Sequence, residues 1–445
     1  MTDVRTTSEA ASHGPVWRNW SGLESTTPVR SEAPASSADV VRAVERARSE
    51  RTTVKMIGSG HSFTSISAPE HTMLTPERLV GEVRVDHATM TATAPAGVQL
   101  KHLNVALEQA GVSLHNMGDI AEQTLAGAVS TGTHGSGGVV AGLAPQLAGF
   151  EMVSGTGEVL RASETENPDV FRLGRVGLGA LGVLTEVTFK VEPTFLLRAE
   201  ERPIGWDELL ATFDELDEAH HHVDVHWFPH TDRALLKANT RLTDEDPEPL
   251  SPFRAWLDDD FLSNTAFGVL NAVASRVPSL VPGINAAASR VLSARTYSDV
   301  AHKVFVSPRT VRFREMEYAL PREVGLEALR EARRVMDAHD WRISFPVEIR
   351  TAPADDVALS TGYGRDSMHL AFHVHHDVDH TAYFAAVENV MRGYGGRPHW
   401  GKLHRLRVDD VKDDYPLLDE FLSLRDRLDP DRVFTNPYLR RVLGE

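Results

Sequence analysis

Gly177, Gly179 and Gly182 spell GxGxxG, and the residues after them exclude the fold that this motif usually announces. A doubly wound dinucleotide fold needs a strand before that turn and a helix opening at its third glycine. Here residues 184–191 alternate apolar and polar side chains, the period of a half-buried strand. The strand comes after the glycines, so the Rossmann reading is rejected.

Two other glycine-rich stretches then carry the question of a bound cofactor. Residues 54–64 read VKMIGSGHSFT. Val54, Met56 and Ile57 have the look of a strand end, and Gly58-Ser59-Gly60 turns the backbone with almost no side-chain bulk, which suits close approach to a ligand. His61 comes next, at the mouth of that turn, either as a plain loop histidine or as a ring beside a cofactor. Residues 116–138, NMGDIAEQTLAGAVSTGTHGSGG, pair small side chains with exposed N–H groups and make an anion cradle suited to a pyrophosphate. The competing reading is a flexible loop, against which stands the apolar pattern of Leu125, Ala126, Ala128 and Val129.

Cysteine is absent from all 445 residues, which removes disulfides, thiolate nucleophiles and cysteine-held metals together. Redox chemistry must therefore come from an organic cofactor or from a metal held by histidine and carboxylate. The length allows two or three domains. A net charge of −17 argues against nucleic acid as a partner. Residues 1–15 read as a floppy tail without a signal-peptide core, no stretch is long and apolar enough to span a bilayer, and a cytoplasmic location is expected.

In order, the spacing predicts a helix at 37–50 capped by Ser37, a strand at 53–57 and a hairpin at 83–94. Next come a helix at 100–110 stopped by Gly111 and a hairpin from 147 to 163. The texture changes after Glu192-Pro193, where a domain boundary is placed. Beyond it lie a helix at 206–219, strands at 223–228, 234–238, 303–306, 310–318, 342–350 and 368–375, and helices at 322–339 and 381–394. That is an antiparallel sheet with helices, an α+β architecture. Residues 253–294 are helical and rich in Ala, Val and Leu; packing within the domain is expected, with a dimer face or a membrane surface as the alternatives.

Glu348 and Arg350 lie two apart on a strand, so both project from one face and can orient a hydroxylated substrate. Around Trp400-Gly401 crowd His399, Lys402 and His404, with Lys402 able to set positive charge against a reduced ring. Of 21 histidines none forms an HExxH pattern, and no metal site is expected. No GxSxG elbow supports hydrolysis.

Taken together, GSGHSF at 58–63, STGTHGSG at 130–137, LGALGV at 178–183, EIR at 348–350, RPHWGK at 397–402 and DPDRVFTN at 429–436 resemble the sugar-1,4-lactone oxidases and the related alditol oxidases of the vanillyl-alcohol oxidase superfamily. The resemblance covers nearly the whole chain. It implies a two-domain α+β flavoprotein: a bipartite FAD-binding domain at 16–193, completed by the C-terminal segment 397–445, and an α+β substrate cap with an antiparallel sheet at 194–396.

The same resemblance assigns roles. FAD would lie against Ile57, Gly58, Ser59, Gly60, His61 and Ser62, with His61 attached covalently to its 8α-methyl group. Thr124, Gly127, Ser130, Thr131, Gly132, Thr133, His134 and Gly135 would hold the pyrophosphate side, joined by Gly182 and Val183. Gly118, Asp119, His399 and Lys402 would lie near the isoalloxazine ring. Glu348, Arg350 and Lys402 match the residues that orient and activate the hydroxyl, and Asp119 and His373 would touch the sugar. Asp119 stands where these relatives usually carry serine. Gly118 stands where relatives that act as dehydrogenases carry a larger residue that blocks oxygen, so an oxidase giving hydrogen peroxide is expected. The leading expectation is a covalent-FAD aldono-1,4-lactone oxidase using molecular oxygen. An alditol oxidase and a lactone dehydrogenase with another acceptor are the rivals, and oligomeric state is left open.

Overall fold

A computed structural model describes residues 15–243, 245–307 and 309–445, so the expected tail falls outside the described residues except for Pro15. The N-terminal half is built on two main sheets, with two small two-stranded ones beside them. Three short parallel strands, in the order Arg30–Glu32, Thr72–Leu74, Val54–Met56, are covered by the helix Ser37–Glu50. Its stripe Val40, Ala43, Val44 and Ala47 is buried against Val54, Leu74, Val183 and Phe434. The cap is Ser36 rather than Ser37: Ser36 is the last extended residue, and its side chain accepts from the Asp39 amide.

The second sheet has five antiparallel strands in the order Val159–Ser163, Leu147–Ser154, Gly182–Lys190, Thr91–Pro95, Arg84–Asp86. Its central strand starts at the third glycine of GxGxxG, where a Rossmann turn would open a helix, so the rejection of that reading holds. A Cβ on Gly182 would lie 2.6 Å from the Val153 carbonyl, so close strand packing demands that glycine.

The second half is built on an eight-stranded sheet. Its order is Arg295–Val300, Leu196–Gly205, Arg233–Leu242, His222–Trp227, Val347–Ala352, Ser367–His375, Phe313–Pro321, Arg397–Pro398, antiparallel throughout. Period-two alternation divides its central strands into two chemically opposite faces. Val225, Trp227, Ile349, Phe372 and Tyr318 face a core shared with the helices Trp206–Ala219, Gly325–Asp337 and Thr381–Gly393. Full burial of each such apolar side chain contributes about 1.5–3 kcal/mol. The other face carries Asp224, His226, Glu348, Arg350, His369, His373, Glu315 and Glu317.

Two expected strands need correction. Residues 303–305 end a short helix, Ala301–Phe305, which Val306 caps, and the strand is Arg295–Val300 just before it. Val304 and Phe305 have β propensity, but Ala301 and Val304 lie one turn apart and dock together on Phe195, Leu197 and Ala199. The strand expected at 342–350 begins only at Val347, because Pro346 has no amide to donate to the ladder.

The motif at 429–436 is a clasp. Asp429 accepts from the amides of Val433 and Phe434 at 2.7 and 3.0 Å. Asn436 Nδ2 lies 3.0, 3.0 and 3.1 Å from the carbonyls of Ser65, Ile66 and Ala68. The Val433 carbonyl accepts from Val54 N at 2.8 Å, which fixes the strand that leads into the Gly58–Gly60 turn. Among the described residues no helix is long and apolar enough to cross a membrane.

Candidate active site

The turn after Val54–Met56 opens a cleft of about 720 Å³, part of it open to solvent, whose far wall comes from the short helix Leu125–Ser130 and from Leu178 to Leu184. The backbone amides of Gly58, Ser59, Gly60, His61 and Ser62 have no acceptor among the described residues. Five consecutive free donors on a bare turn form a nest for an anionic group. A Cβ on Gly58 would lie 2.9 Å from Thr124 Oγ1, so the two walls meet there with no room for a side chain. The turn is held from behind: Trp20 N donates to the Gly60 carbonyl at 2.8 Å and Asn19 Nδ2 to the Ser62 carbonyl at 3.0 Å. The aromatic turn at residues 17–20 therefore positions His61, whose ring stacks on Trp20 at 5.7 Å.

At the back of the cleft Lys55 is buried, with Nζ donating to the carbonyls of Gly179 and Phe434 at 3.0 and 3.2 Å. Burial, helped by Arg425 and opposed by Asp429, pushes its ammonium pKa down to about 7. The unfolded chain, with a lysine value of about 10.4, therefore binds more protons between these two values, and stability rises with pH across that window. Lys55→Met removes the titration. In denaturant unfolding, wild type gains on the variant by a few kcal/mol between pH 7 and pH 10; equal pH slopes would contradict this assignment.

A second cavity, about 620 Å³, shares His61, Ser62, Gln123 and Thr131 with the first and is walled by the polar face of the large sheet. Its charges are interlocked across strands. Arg350 Nη2 lies 3.0 Å from Glu348 Oε2, its Nε 2.9 Å from Asp224 Oδ1, and Nη2 is 3.6 Å from Asp119 Oδ2. His226 Nε2 lies 3.1 Å from Glu348 Oε1. Arg309 reaches in from the loop before Phe313, pairing with Asp119 and, at 2.9 Å, with Glu348. Lys402 pairs with Glu315, and Glu317 lies 3.1 Å from His134 Nε2.

Burial works to raise the Glu348 carboxyl, but Arg350 and Arg309 overcome it and hold the group well below the usual range. Asp119 is held down in the same way by Arg309 and Arg350. Burial works to lower Lys402, and Glu315 and Glu317 reverse that, so it stays protonated. Burial pushes His61 below its ordinary value despite Glu122 nearby, and pushes His399 down to about 3, so both rings are neutral at neutral pH. The site thus pairs fixed positive charges with ionised acceptors beside an uncharged histidine.

Of the residues singled out from sequence, Ile57 to Ser62, Thr124, Gly127, Ser130, Thr131, Gly182 and Val183 line the first cleft. Gly118, Asp119, Thr133, His134, Arg350, His399 and Lys402 line the second. Glu348 stands directly behind Arg350. Gly132 lines a separate small cavity with His134 and His369. Gly135 serves packing, since a Cβ there would lie 2.4 Å from the Met117 carbonyl. His373 stands beside the site, its Nδ1 3.0 Å from the Pro346 carbonyl and its Nε2 3.4 Å from Glu315. Residues not foreseen are Glu315, Glu317, Asp224 and Arg309. The first three are signalled by alternation in FREMEYAL and HVDVHW, where acids occupy every second position of otherwise apolar strands. Arg309 has no local signal, because only the fold brings its loop to Asp119.

Comparison with known proteins agrees with this geometry. Residues 187–442 match the D-arabinono-1,4-lactone oxidase family and residues 31–163 match the FAD binding domain family. The chain is 37% identical over 430 residues to an L-gulono-1,4-lactone dehydrogenase of Mycobacterium tuberculosis, covering 97% of this chain and 99% of that protein. It is 30% identical over 436 residues to the L-gulonolactone oxidase of Mus musculus, covering 96% and 98%. Among solved structures, a solvent-stable cholesterol oxidase superposes with a TM-score of 0.83 at 17% identity, covering 97% and 98%, a likeness of fold.

Proposed function

The chain belongs to the D-arabinono-1,4-lactone oxidase family of FAD-dependent oxidoreductases, and from that premise we propose how its own residues hold the cofactor and act on an aldono-1,4-lactone. It is a two-domain α+β flavoprotein of the vanillyl-alcohol oxidase type. We assign residues 16–193 and 397–445 to the FAD-binding domain and residues 194–396 to the cap. The observation that carries the reading is the junction: an uncharged nest of free amides and a charge-lined cavity meet at His61, Ser62, Gln123 and Thr131.

The free amides of Gly58 to Ser62 and the side-chain-free walls at Gly58 and Gly182 fit FAD, and His61, neutral and facing the junction, is suited to a covalent tether. When bound, FAD accepts the hydride from the carbinol carbon. Glu348, kept ionised behind Arg350, fixes the Arg350 guanidinium at the cavity wall, where it meets the lactone hydroxyl. Arg350 and Lys402 place positive charge where negative charge develops on the substrate oxygen. Asp119 does not face the sugar as a bare carboxylate: Arg309 and Arg350 neutralise it, so the pair Asp119–Arg309 shapes the pocket as one unit. His373 steadies the Glu315–Lys402 pair from the neighbouring strand. A cytoplasmic protein acting on small molecules, with no role for nucleic acid, is consistent with the net charge of −17.

Molecular oxygen is the proposed acceptor, with hydrogen peroxide as product. Supporting it, Gly118 lines the charged cavity with no side chain of its own. The dehydrogenase name of the mycobacterial relative favours a second reading, an acceptor other than oxygen. Turnover of an aldono-1,4-lactone in air is expected to match turnover with a dye and to yield one peroxide per lactone. Turnover only with the dye would establish the second reading.

A further inference from the structure

The helical stretch beyond residue 252 is turned inside out. Its polar residues Asn264, Asn271, Asn285 and Ser289 are buried. Asn264 Oδ1 accepts from Thr310 N at 2.8 Å, Asn271 Oδ1 accepts from Ser344 Oγ at 2.6 Å, and Asn285 Nδ2 donates to the Pro229 and Ile343 carbonyls at 2.9 Å each. Trp256, Val269, Val273, Val277 and Leu280 point outward, 41–61% exposed. Fifteen large hydrophobic residues are exposed among the described residues, and nine of them fall between Phe253 and Leu280. A water-facing helix has the opposite arrangement, and an apolar patch of this extent marks an interaction surface.

We propose that the occupant of this face is a second copy of the chain, in a two-fold dimer that lays the segments Trp256–Ala266 and Phe267–Arg276 antiparallel to their counterparts. Area supports this choice. The nine residues leave on the order of 800 Å² open, the share that one partner contributes to a standard stable interface. Charge supports it as well. The stretch holds three aspartates, at 258–260, and three arginines, Arg254, Arg276 and Arg290, so it is neutral within a chain of net −17. A neutral stretch on a chain this acidic can face its own copy without the repulsion that the rest of the surface would bring. An anionic bilayer would instead have to attract a strongly acidic protein. The face also backs the active site, since Asn264 holds Thr310, the neighbour of Arg309.

Light scattering on the full, flavin-containing chain tests the proposal. Wild type is expected at twice the 49.0 kDa chain mass, and Val273→Glu at the single mass with its flavin spectrum unchanged. Because the chain has no cysteine, Val269→Cys, close to the axis this pairing implies, should form a disulfide-linked dimer on oxidation. Val159→Cys, on an exposed strand of the five-stranded sheet, should not. A wild type at the single mass overturns the proposal, and if it also sediments with phosphatidylcholine vesicles the face belongs to lipid. A dimer that survives Val273→Glu, or that leaves Val269→Cys unlinked, overturns it too.

Discussion

Arg350→Met lowers kcat on an aldono-1,4-lactone by about 10²–10³-fold, the usual cost of removing one preorganised charge from a closed site. The methionine keeps most of the stem's volume, so the loss reports the guanidinium. That group lies between Glu348 at 3.0 Å, Asp224 at 2.9 Å and Asp119 at 3.6 Å. Without it, Glu348 and Asp119 are left paired with Arg309 and Asp224 with the Ser136 hydroxyl, and breaking a buried pair on one side typically costs about 3–5 kcal/mol. Arg350 holds Glu348 and Asp119 below their ordinary values, so the stability they contribute is present above the unfolded carboxyl value and is lost as pH falls through the lower folded one. Removing Arg350 raises both folded values, so the acid limb of kcat and acid unfolding both move to higher pH. A variant within a few-fold of wild type, with an unmoved acid limb, would contradict the role assigned to Arg350.

His61→Ala removes the coloured pellet. Acid-precipitated wild type is expected to stay yellow because the flavin is bonded to the protein, whereas the variant's precipitate is white and its flavin is in solution. The side chain suits the bond, since burial keeps its imidazole uncharged with a nitrogen lone pair available. The variant should still bind flavin before precipitation, because the free amides of Gly58 to Ser62 and the clasp at Asp429 and Asn436 do not depend on the ring. A white wild-type pellet, or a yellow one from His61→Ala, would rule out the tether.

Both effects concern residues that are legible in the sequence itself. Glu348 and Arg350 stand out because two charged residues at period two on an apolar strand must share a face. The Gly58–Gly60 turn stands out because three small residues after a strand leave the backbone bare. The strand after GxGxxG is equally clear, because alternation outranks a short motif. Features that depend on contacts between distant segments stay hidden. Asp119 reads as an unpaired carboxylate, because its partner Arg309 lies 190 residues later in the chain. Lys303 to Val306 read as a strand because propensity is local, while the helical docking of Ala301 and Val304 onto Phe195 is not. The inverted face at 253–280 escapes because composition shows apolar content and not which side of a helix the asparagines take.

If the nest and the charged cavity together oxidise an aldono-1,4-lactone, the substrate alone must reduce the bound flavin. Anaerobic addition of L-gulono-1,4-lactone or D-arabinono-1,4-lactone to the purified protein reads this out as the visible absorbance of its flavin. One equivalent is expected to bleach the flavin within turnover time, and Arg350→Met to bleach about 10²–10³-fold more slowly. A flavin left unbleached by either lactone, yet bleached by an open-chain polyol, would contradict the assignment.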